Sequence, residues 1–252
     1  MNMRKLFILL IAALFCCVAF SSCNTYGLAP MEPTVIVVNN NLVYAELDQE
    51  RIQNLNLAVS SCDGLTACGV VNEAGDEIIR KVFQSKDDPD PEIQTVTLGE
   101  TAYAHPDPRY PNLIVVLIDG EPVVFQYCNG GLSGGAQLKE MYGINGPNKI
   151  REIQIRSQKD KQKAVLEATV TDPAELEAFC DALDSEQGSL GRTRDTSVNG
   201  TFPVYLLEVV LDNGFSFSFD YFPNRGDGCV HFAGEFFASS EQINTWISSH
   251  VQ

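Results

Sequence analysis

The strongest constraint on the fold of this chain is an alternating aromatic run near its C-terminal end. Every second residue of the run is aromatic: Phe215, Phe217, Phe219 and Tyr221. Because side chains of a strand point alternately to opposite faces of a sheet, the run predicts a strand with one buried face. It follows Asn213-Gly214, a dipeptide that favours a tight hairpin since its turn positions need positive φ. The run therefore predicts an antiparallel sheet.

An earlier part of the chain repeats this arrangement. Residues 117–120 (LIDG) align with residues 211–214 (LDNG), 94 positions later. Residues 51–57 likewise resemble residues 149–155, 98 positions later, and both segments are predicted to be strands. After each of them we expect a second strand, a helix and a closing hairpin.

The helix of the second copy has clear start signals. Asp172 is the expected N-cap, and Pro173 takes the first helical position. An apolar stripe at helical spacing follows, formed by Leu176, Phe179, Cys180 and Leu183. In the first copy the expected cap is Asn72, and the stripe consists of Ile78, Ile79, Val82 and Phe83.

These patterns predict an α+β protein with two tandem antiparallel sheet-plus-helix units, each ordered as hairpin, helix and hairpin. The first unit covers residues 35–135 and begins with a hairpin over residues 35–47. The second covers residues 149–252, with an added strand near residues 230–232 and a terminal helix from about Ser240.

The first residues predict where the protein is located. Residues 1–5 are short and basic, and residues 6–20 form an apolar run that is too short to span a bilayer comfortably. The small residues Ser21 and Ser22 then precede Cys23. A basic start, an apolar run and small residues are typical of a secretory signal peptide.

Small residues immediately before a cysteine resemble the lipobox of bacterial lipoproteins. Carried over to this chain, the resemblance makes Cys23 the lipidated residue, with Ser22 at −1 and Ser21 at −2. Phe20 departs from the Leu that the family usually has at −3. Ordinary cleavage near Ser21 and an uncleaved anchor are the alternatives.

The lipobox resemblance implies a signal peptide over residues 1–22 and a tether over residues 23–34. It also implies a palmitate-type lipid anchor and an extracytoplasmic location on a bacterial cell membrane. Residues 149–252 further resemble uncharacterised α+β lipoprotein modules that combine a strand, a capped helix and a hairpin. That second resemblance implies no activity.

Composition excludes some partners. The formal net charge is −16, and it becomes −18 when removal of residues 1–22 takes away Arg4 and Lys5. Because affinity for phosphates comes from clustered Lys and Arg, the acidity argues against a nucleic-acid partner. It also argues against electrostatic adhesion to anionic lipids, so membrane attachment is expected through the lipid alone.

Five cysteines follow Cys23, and this odd number leaves at least one thiol without an intramolecular partner. Cys62 and Cys68 flank a predicted turn and are candidates for a small disulfide. The cysteines and histidines lack the spacing of a zinc site, so we predict no metal or cofactor.

The chain offers one motif with catalytic meaning. Residues 131–135 (GLSGG) match G-x-S-x-G, which would make Ser133 a nucleophile, with His231 or His250 as its base. A strand precedes the motif and a short helix follows it, but the flanking elements are predicted to be antiparallel hairpins. A glycine-rich connecting loop is the competing interpretation, and we predict no enzyme activity.

The leading hypothesis is therefore a non-enzymatic binding or envelope-interaction protein whose partner is an extracytoplasmic protein, peptide or glycan. Three aromatic residues at hairpin ends are candidates to line its groove: Tyr127, Tyr221 and Phe222. A serine hydrolase using Ser133 is one alternative. Another is an inhibitor of an extracytoplasmic enzyme that presents the acidic loop of residues 87–92 and the proline-rich loop of residues 105–111.

Overall fold

Two antiparallel sheets and four helices make up the part of the chain that the computed structural model describes. The described residues are 34–74, 98–144, 146–159, 163–186, 189–191, 204–224, 228–232 and 235–251. They all belong to one compact unit, Pro33–Gln252. The helices are α1 (Gln49–Leu55), α2 (Gly135–Met141), α3 (Pro173–Asp184) and α4 (Glu241–His250). The α+β prediction is confirmed.

The first sheet is a closed six-stranded barrel in the order β1-β2-β6-β5-β4-β3. Its strands are β1 (Val35–Val38), β2 (Leu42–Glu46), β3 (Ala67–Ala74), β4 (Thr101–Ala104), β5 (Leu113–Ile118) and β6 (Glu121–Asn129). The predicted hairpin β1–β2 is confirmed, and Asn39 and Asn40 adopt positive φ in its turn. Asp119 and Gly120 do the same between β5 and β6, which is the geometry of a two-residue hairpin.

The second sheet has seven strands in the order β8-β7-β10-β11-β12-β13-β9. They are β7 (Ile150–Gln158), β8 (Val165–Val170), β9 (Ser189–Gly191), β10 (Val204–Leu211), β11 (Ser216–Phe222), β12 (Cys229–Phe232) and β13 (Glu235–Ala238). Phe217, Phe219 and Tyr221 of β11 are buried, as their alternation predicted. Phe219 stacks on Phe179 of α3, with ring centroids 5.9 Å apart.

One hydrophobic cluster runs through both sheets. It contains the barrel residues Ile114 and Phe125, the sheet residues Ile153 and Leu207, and Ile247 of α4. The inner face of the seven-stranded sheet and the barrel therefore bury their apolar side chains together.

The prediction that residues 51–57 form a strand is wrong, because they lie in α1 and the turn after it. The Asp48 carboxylate caps this helix by accepting a hydrogen bond from the Arg51 amide at 2.7 Å. Asn56 ends it with a φ of 54°, which no strand allows. Ile52, Leu55 and Leu57 pack in a second apolar cluster. Leu55 and Leu57 have the spacing of a strand, whereas Ile52 and Leu55, three residues apart, have the spacing of a helix face.

Other predictions fall outside the described residues. These are the signal peptide of residues 1–22, Cys23, all of the tether 23–34 except Thr34, the stripe at residues 78–83 and the acidic loop of residues 87–92. Asn72, the expected cap of that helix, lies in β3. None of the helices that the structure describes is long and apolar enough to span a membrane.

The second predicted helix is confirmed as α3, with Asp172 as its N-cap and Pro173 in its first turn. The Asp172 carboxylate accepts hydrogen bonds from the amides of Ala174 and Glu175.

We expect Asp172→Ala to lower the free energy of unfolding by about 1 kcal/mol, because two amides lose their acceptor. Chemical denaturation measures this change.

Asp181→Ala is the matched control, since Asp181 is exposed in the last turn of the same helix. It removes a carboxylate without removing a cap, and we expect no loss of stability. An equal loss in both variants would contradict the hydrogen bonds of the cap as the cause of the effect.

Candidate functional site

An open groove of about 520 Å³ is the candidate functional site. We name it the proline groove, and it is lined by Pro108, Pro111, Ala136, Lys139, Glu140, Gly143, Ile144, Gly146, Pro147 and Asp184. Three parts of the chain form it: the proline-rich loop of residues 105–111, helix α2 with the turn after it, and the end of α3. Its walls are mostly proline, glycine and small apolar side chains, and its polar groups come from the two helices.

The proline-rich loop is held rigidly from both ends. His105 is buried, its Nε2 lies 3.1 Å from the Leu57 carbonyl oxygen, and its Nδ1 accepts a hydrogen bond from the Asp107 amide. This donor at one ring nitrogen and acceptor at the other is the pattern of a neutral imidazole with its hydrogen on Nε2. The Tyr110 ring packs edge-on against His105 and against Phe215. His105 is therefore part of the scaffold of the groove.

An ion pair closes the outer side of this loop. The Asp107 carboxylate accepts hydrogen bonds from Arg109 Nε at 3.1 Å and from Arg109 Nη2 at 2.6 Å. The hydrogen bond from the Arg109 side chain holds the pKa of the Asp107 carboxyl below its usual range. Because the two charges satisfy each other in solvent, the pair orders the loop and adds little stability of its own.

Two asparagines join the loop to the rest of the molecule. Asn148 Nδ2 donates to the Arg109 carbonyl oxygen and to the Tyr142 carbonyl oxygen, both at 2.7 Å. Asn213 Nδ2 donates to the same Arg109 oxygen, also at 2.7 Å. Gly143 has a φ of 68°, and a Cβ there would lie 2.8 Å from Asn148 Nδ2. The turn after α2 therefore requires glycine at this position.

Lys139 supplies the one positive charge among the residues that line the groove. Its residue surface is only 5% exposed. The ammonium group donates to the Cys180 carbonyl oxygen at 3.0 Å and to Asp184 Oδ2 at 2.7 Å. Asp184 keeps 51% of its side chain exposed, and Glu140 is exposed beside it. The positive charge is thus buried and paired, while the carboxylates face the solvent.

The contact between α2 and α3 is unusually close at Gly135. A Cβ on Gly135 would lie 1.9 Å from the Leu183 carbonyl oxygen, so no larger residue fits there without backbone movement. The Gly135 amide also donates to the Glu186 carbonyl oxygen at 2.9 Å. This packing holds α2 against the end of α3, where Lys139 reaches Asp184.

The aromatic residues that the sequence suggested for a groove are core residues. Tyr127 and Tyr221 are buried in the main cluster, where their hydroxyl groups donate to Gly130 O and Asn244 Oδ1. Phe222 is buried in a separate cluster with Cys229. The prediction that Tyr127, Tyr221 and Phe222 line one ligand groove is therefore corrected, because all three side chains are buried and Phe222 lies in a different cluster from the two tyrosines.

Ser133 lies between β6 and α2, as predicted, and it is exposed. Its amide donates to Gln137 Oε1 at 2.8 Å. Each of the two candidate bases lies beside a carboxylate. His231 Nδ1 is 3.5 Å from Asp220 Oδ2, and His250 Nε2 is 3.6 Å from Glu175 Oε2. The strand before Ser133 belongs to an antiparallel barrel, whereas a nucleophile elbow belongs to a parallel sheet.

Cys62 and Cys68 are both free thiols in the structure, so the suggested disulfide is not formed there. Cys68 lies in β3, and its thiol donates to the Ala102 carbonyl oxygen of the neighbouring strand. Burial raises the pKa of the Cys68 thiol above its usual value. Among the described residues, no group of three or more His, Cys, Asp or Glu side chains could hold a metal ion.

Sequence reasoning identified only the loop of residues 105–111 as part of this site. Lys139, Asn148 and Asp184 were missed, because their roles depend on contacts between distant segments. Comparison with known proteins adds no further assignment: no protein-family model, curated protein or solved structure matches the chain.

Lys139→Met tests the buried ion pair at the groove. Removal of the ammonium leaves the Cys180 carbonyl oxygen without that donor, so we expect the free energy of unfolding to fall by roughly 1–3 kcal/mol. Denaturant unfolding followed by circular dichroism measures it. Lys149→Met is the matched control, because Lys149 is exposed. Equal effects of the two substitutions would contradict a structural role for the Lys139 contacts.

Proposed function

We propose that this chain is a membrane-anchored extracytoplasmic lipoprotein that binds a partner protein without catalysing a reaction. In this proposal the proline groove holds an extended, positively charged segment of the partner. The observation that supports it most directly is the arrangement of charge in the groove: Lys139 is buried against Asp184, while Glu140 and Asp184 stay exposed.

The shape of the groove suits a peptide segment. Its volume of about 520 Å³ lies within the range of ligand sites, and its open form admits a continuous chain. Pro108, Pro111 and Pro147 give it rigid walls, since proline has a fixed φ and little freedom to lose on binding. A flat apolar wall of this kind packs against the aliphatic part of a long side chain, and Lys and Arg carry such a part.

The electrostatics favour a cationic partner. The whole chain carries a formal charge of −16, and the exposed charges lining the groove are carboxylates. Complementary charge raises the association rate and excludes acidic competitors. Binding is expected to weaken at high salt, because solvent-exposed charges are screened.

The lipid anchor explains why such a binding site would lie at a membrane. A lipid on Cys23 and the tether of residues 23–34 would hold the folded part, residues 33–252, near the membrane surface. Burial of the acyl chains in the bilayer supplies the free energy of membrane binding, so the protein needs no basic surface for it. This agrees with the strongly acidic composition.

We also propose that residues 149–252 form one hairpin–helix–hairpin unit. The order β7, β8, α3, β10 and β11 supports it, since β7 pairs with β8 and β10 pairs with β11. The pairing of β7 with β10 joins the two hairpins into one sheet.

Cys23→Ser tests the anchor. We expect the full-length variant to lose incorporation of labelled palmitate and to leave the membrane fraction, because the thiol that accepts the lipid is gone. Cys16→Ser and Cys17→Ser are matched controls within the same signal region, and both should keep the label. Retention of the label in Cys23→Ser would refute lipidation at this residue.

Glu140→Lys tests the groove. The bait is residues 23–252 with Cys23→Ser, immobilised and incubated with extract of the cell envelope, and captured proteins are identified by mass spectrometry. We expect the unchanged bait to recover a basic partner at low salt. The amount of this partner recovered by the Glu140→Lys bait should be lower by about tenfold or more, because the charge reversal removes an attraction and adds a repulsion.

Glu177→Lys is the control, because it makes the same charge change on an exposed position of α3 that does not line the groove. Equal capture by all three baits would exclude the groove as the binding site. Loss with both lysine variants would assign the effect to net charge and not to the groove.

A further inference from the structure

One edge of the seven-stranded sheet is open. In the described part of the chain, β8 is paired on one side only, with β7. The outer side of such a strand presents backbone N–H and C=O groups to which a further strand can be added. The edge strand at the other end of the sheet, β9, has only three residues, and very short edge strands resist this addition. β8 is therefore the candidate for strand addition.

The exposed side chains of β8 include two large apolar ones. Val165 keeps 62% of its surface exposed, and Leu166 keeps 52%. Among the described residues, the other exposed large apolar side chains are Val70 and Leu98, and neither lies in an edge strand. β8 thus combines an open backbone edge with adjacent exposed apolar side chains, and this combination favours pairing with another strand.

The usual protections of an edge strand are confined to one residue of β8. Such protections are a charge, a proline or a β-bulge, and β8 contains no proline. Leu166 and Ala168 pair with consecutive residues of β7, so Glu167 between them is the extra residue of a bulge. Glu167 also carries the one charge of the strand. Val165 and Leu166 precede the bulge and have neither protection.

The segment of residues 163–167 is complementary in charge to a second copy of itself. Lys163 and Glu167 are exposed, and they lie two positions before and two positions after Val165. The Glu167 carboxylate accepts a hydrogen bond from Ser157, the residue that pairs with Val165, so Glu167 lies on the same face as Val165. Strand alternation places Lys163 on that face too. If Val165 lies opposite Val165 in an antiparallel pair, each Lys163 faces Glu167 of the other copy.

The neighbouring registers lack this complementarity. A symmetry axis at Ala164 places Lys163 opposite Val165, and an axis at Leu166 places Glu167 opposite Val165, so a charge faces an apolar side chain in both. An axis at Glu167 places two carboxylates opposite each other. Facing opposite charges stabilise a strand pair and facing like charges destabilise it. The charge pattern therefore selects the register centred on Val165.

We propose that two copies of this chain form a dimer by pairing their β8 strands antiparallel, edge to edge, with Val165 at the symmetry axis. Such an interface is isologous, because the same patch of each copy binds the other. The contact is small beside the interfaces of permanent dimers, so the dimer is reversible. None of residues 163–167 lines the proline groove, and the inference does not depend on the proposed function.

Sedimentation equilibrium tests the dimer. The protein is residues 23–252 with Cys23→Ser, the predicted mature chain, which contains the whole compact unit Pro33–Gln252. We expect this parent chain to dimerise. The dimerisation constant should be lower by about tenfold in Lys163→Glu and in Glu167→Lys, because each variant places two pairs of like charges across the axis. An equimolar mixture of the two variants should dimerise again, since opposite charges then face each other.

The two charge variants also separate the facing pairs from other effects. Glu167→Lys makes a strongly acidic chain less acidic, so a change in net charge alone would favour association of this variant. Glu167→Lys also removes the hydrogen bond with Ser157. Recovery of the dimer in the mixture would show that this loss leaves the edge competent to pair. A reducing agent present throughout prevents dimers linked through the exposed cysteines.

Val165→Lys and Val70→Lys form a matched pair of variants. Val70 is also an exposed strand valine, but its backbone amide and carbonyl are already hydrogen-bonded to Asn39. Val165→Lys should weaken the dimer, because two ammonium groups then meet at the axis, and Val70→Lys should leave it unchanged.

Three results would overturn the proposal. The first is a parent chain that stays monomeric at the highest concentration at which it remains soluble, which would leave the β8 edge to a strand of another protein. The second is a mixture of Lys163→Glu and Glu167→Lys that fails to dimerise. The third is an equal effect of Val165→Lys and Val70→Lys, which would place the contact away from β8.

Discussion

The whole arrangement depends on a row of aromatic contacts that joins the barrel to the seven-stranded sheet. Tyr44 and Tyr127 meet edge-on in the barrel, Tyr127 meets Tyr142 with centroids 6.4 Å apart, and Tyr142 stacks on Phe217 at 4.5 Å. Each large ring buries area on two elements at once and stabilises both. Because Tyr142 ends α2, the row fixes that helix between the sheets, and with it one side of the proline groove.

The polar contacts of the site are effective only because this apolar frame excludes water from them. Asn148 donates to two carbonyl oxygens and Lys139 to a carbonyl and a carboxylate, at positions where the residue surfaces are almost fully covered. In water such hydrogen bonds exchange with solvent at little net gain, but a buried carbonyl without its donor is costly. The groove is therefore a rigid feature of the fold, held by contacts that any opening would leave unsatisfied.

The sequence predicts what local periodicity and capping control. The aromatic alternation of β11, the Asp172 cap and the Asp119-Gly120 turn each depend on neighbouring residues, and all three are observed. Residues 51–57 show the limit, since their apolar spacing fits a strand and a helix, and the cap at Asp48 decides between them. The site depends on pairs far apart in the chain, such as Arg109 with Asn213, and on closure of the barrel by β1 and β3. No local pattern indicates those pairs.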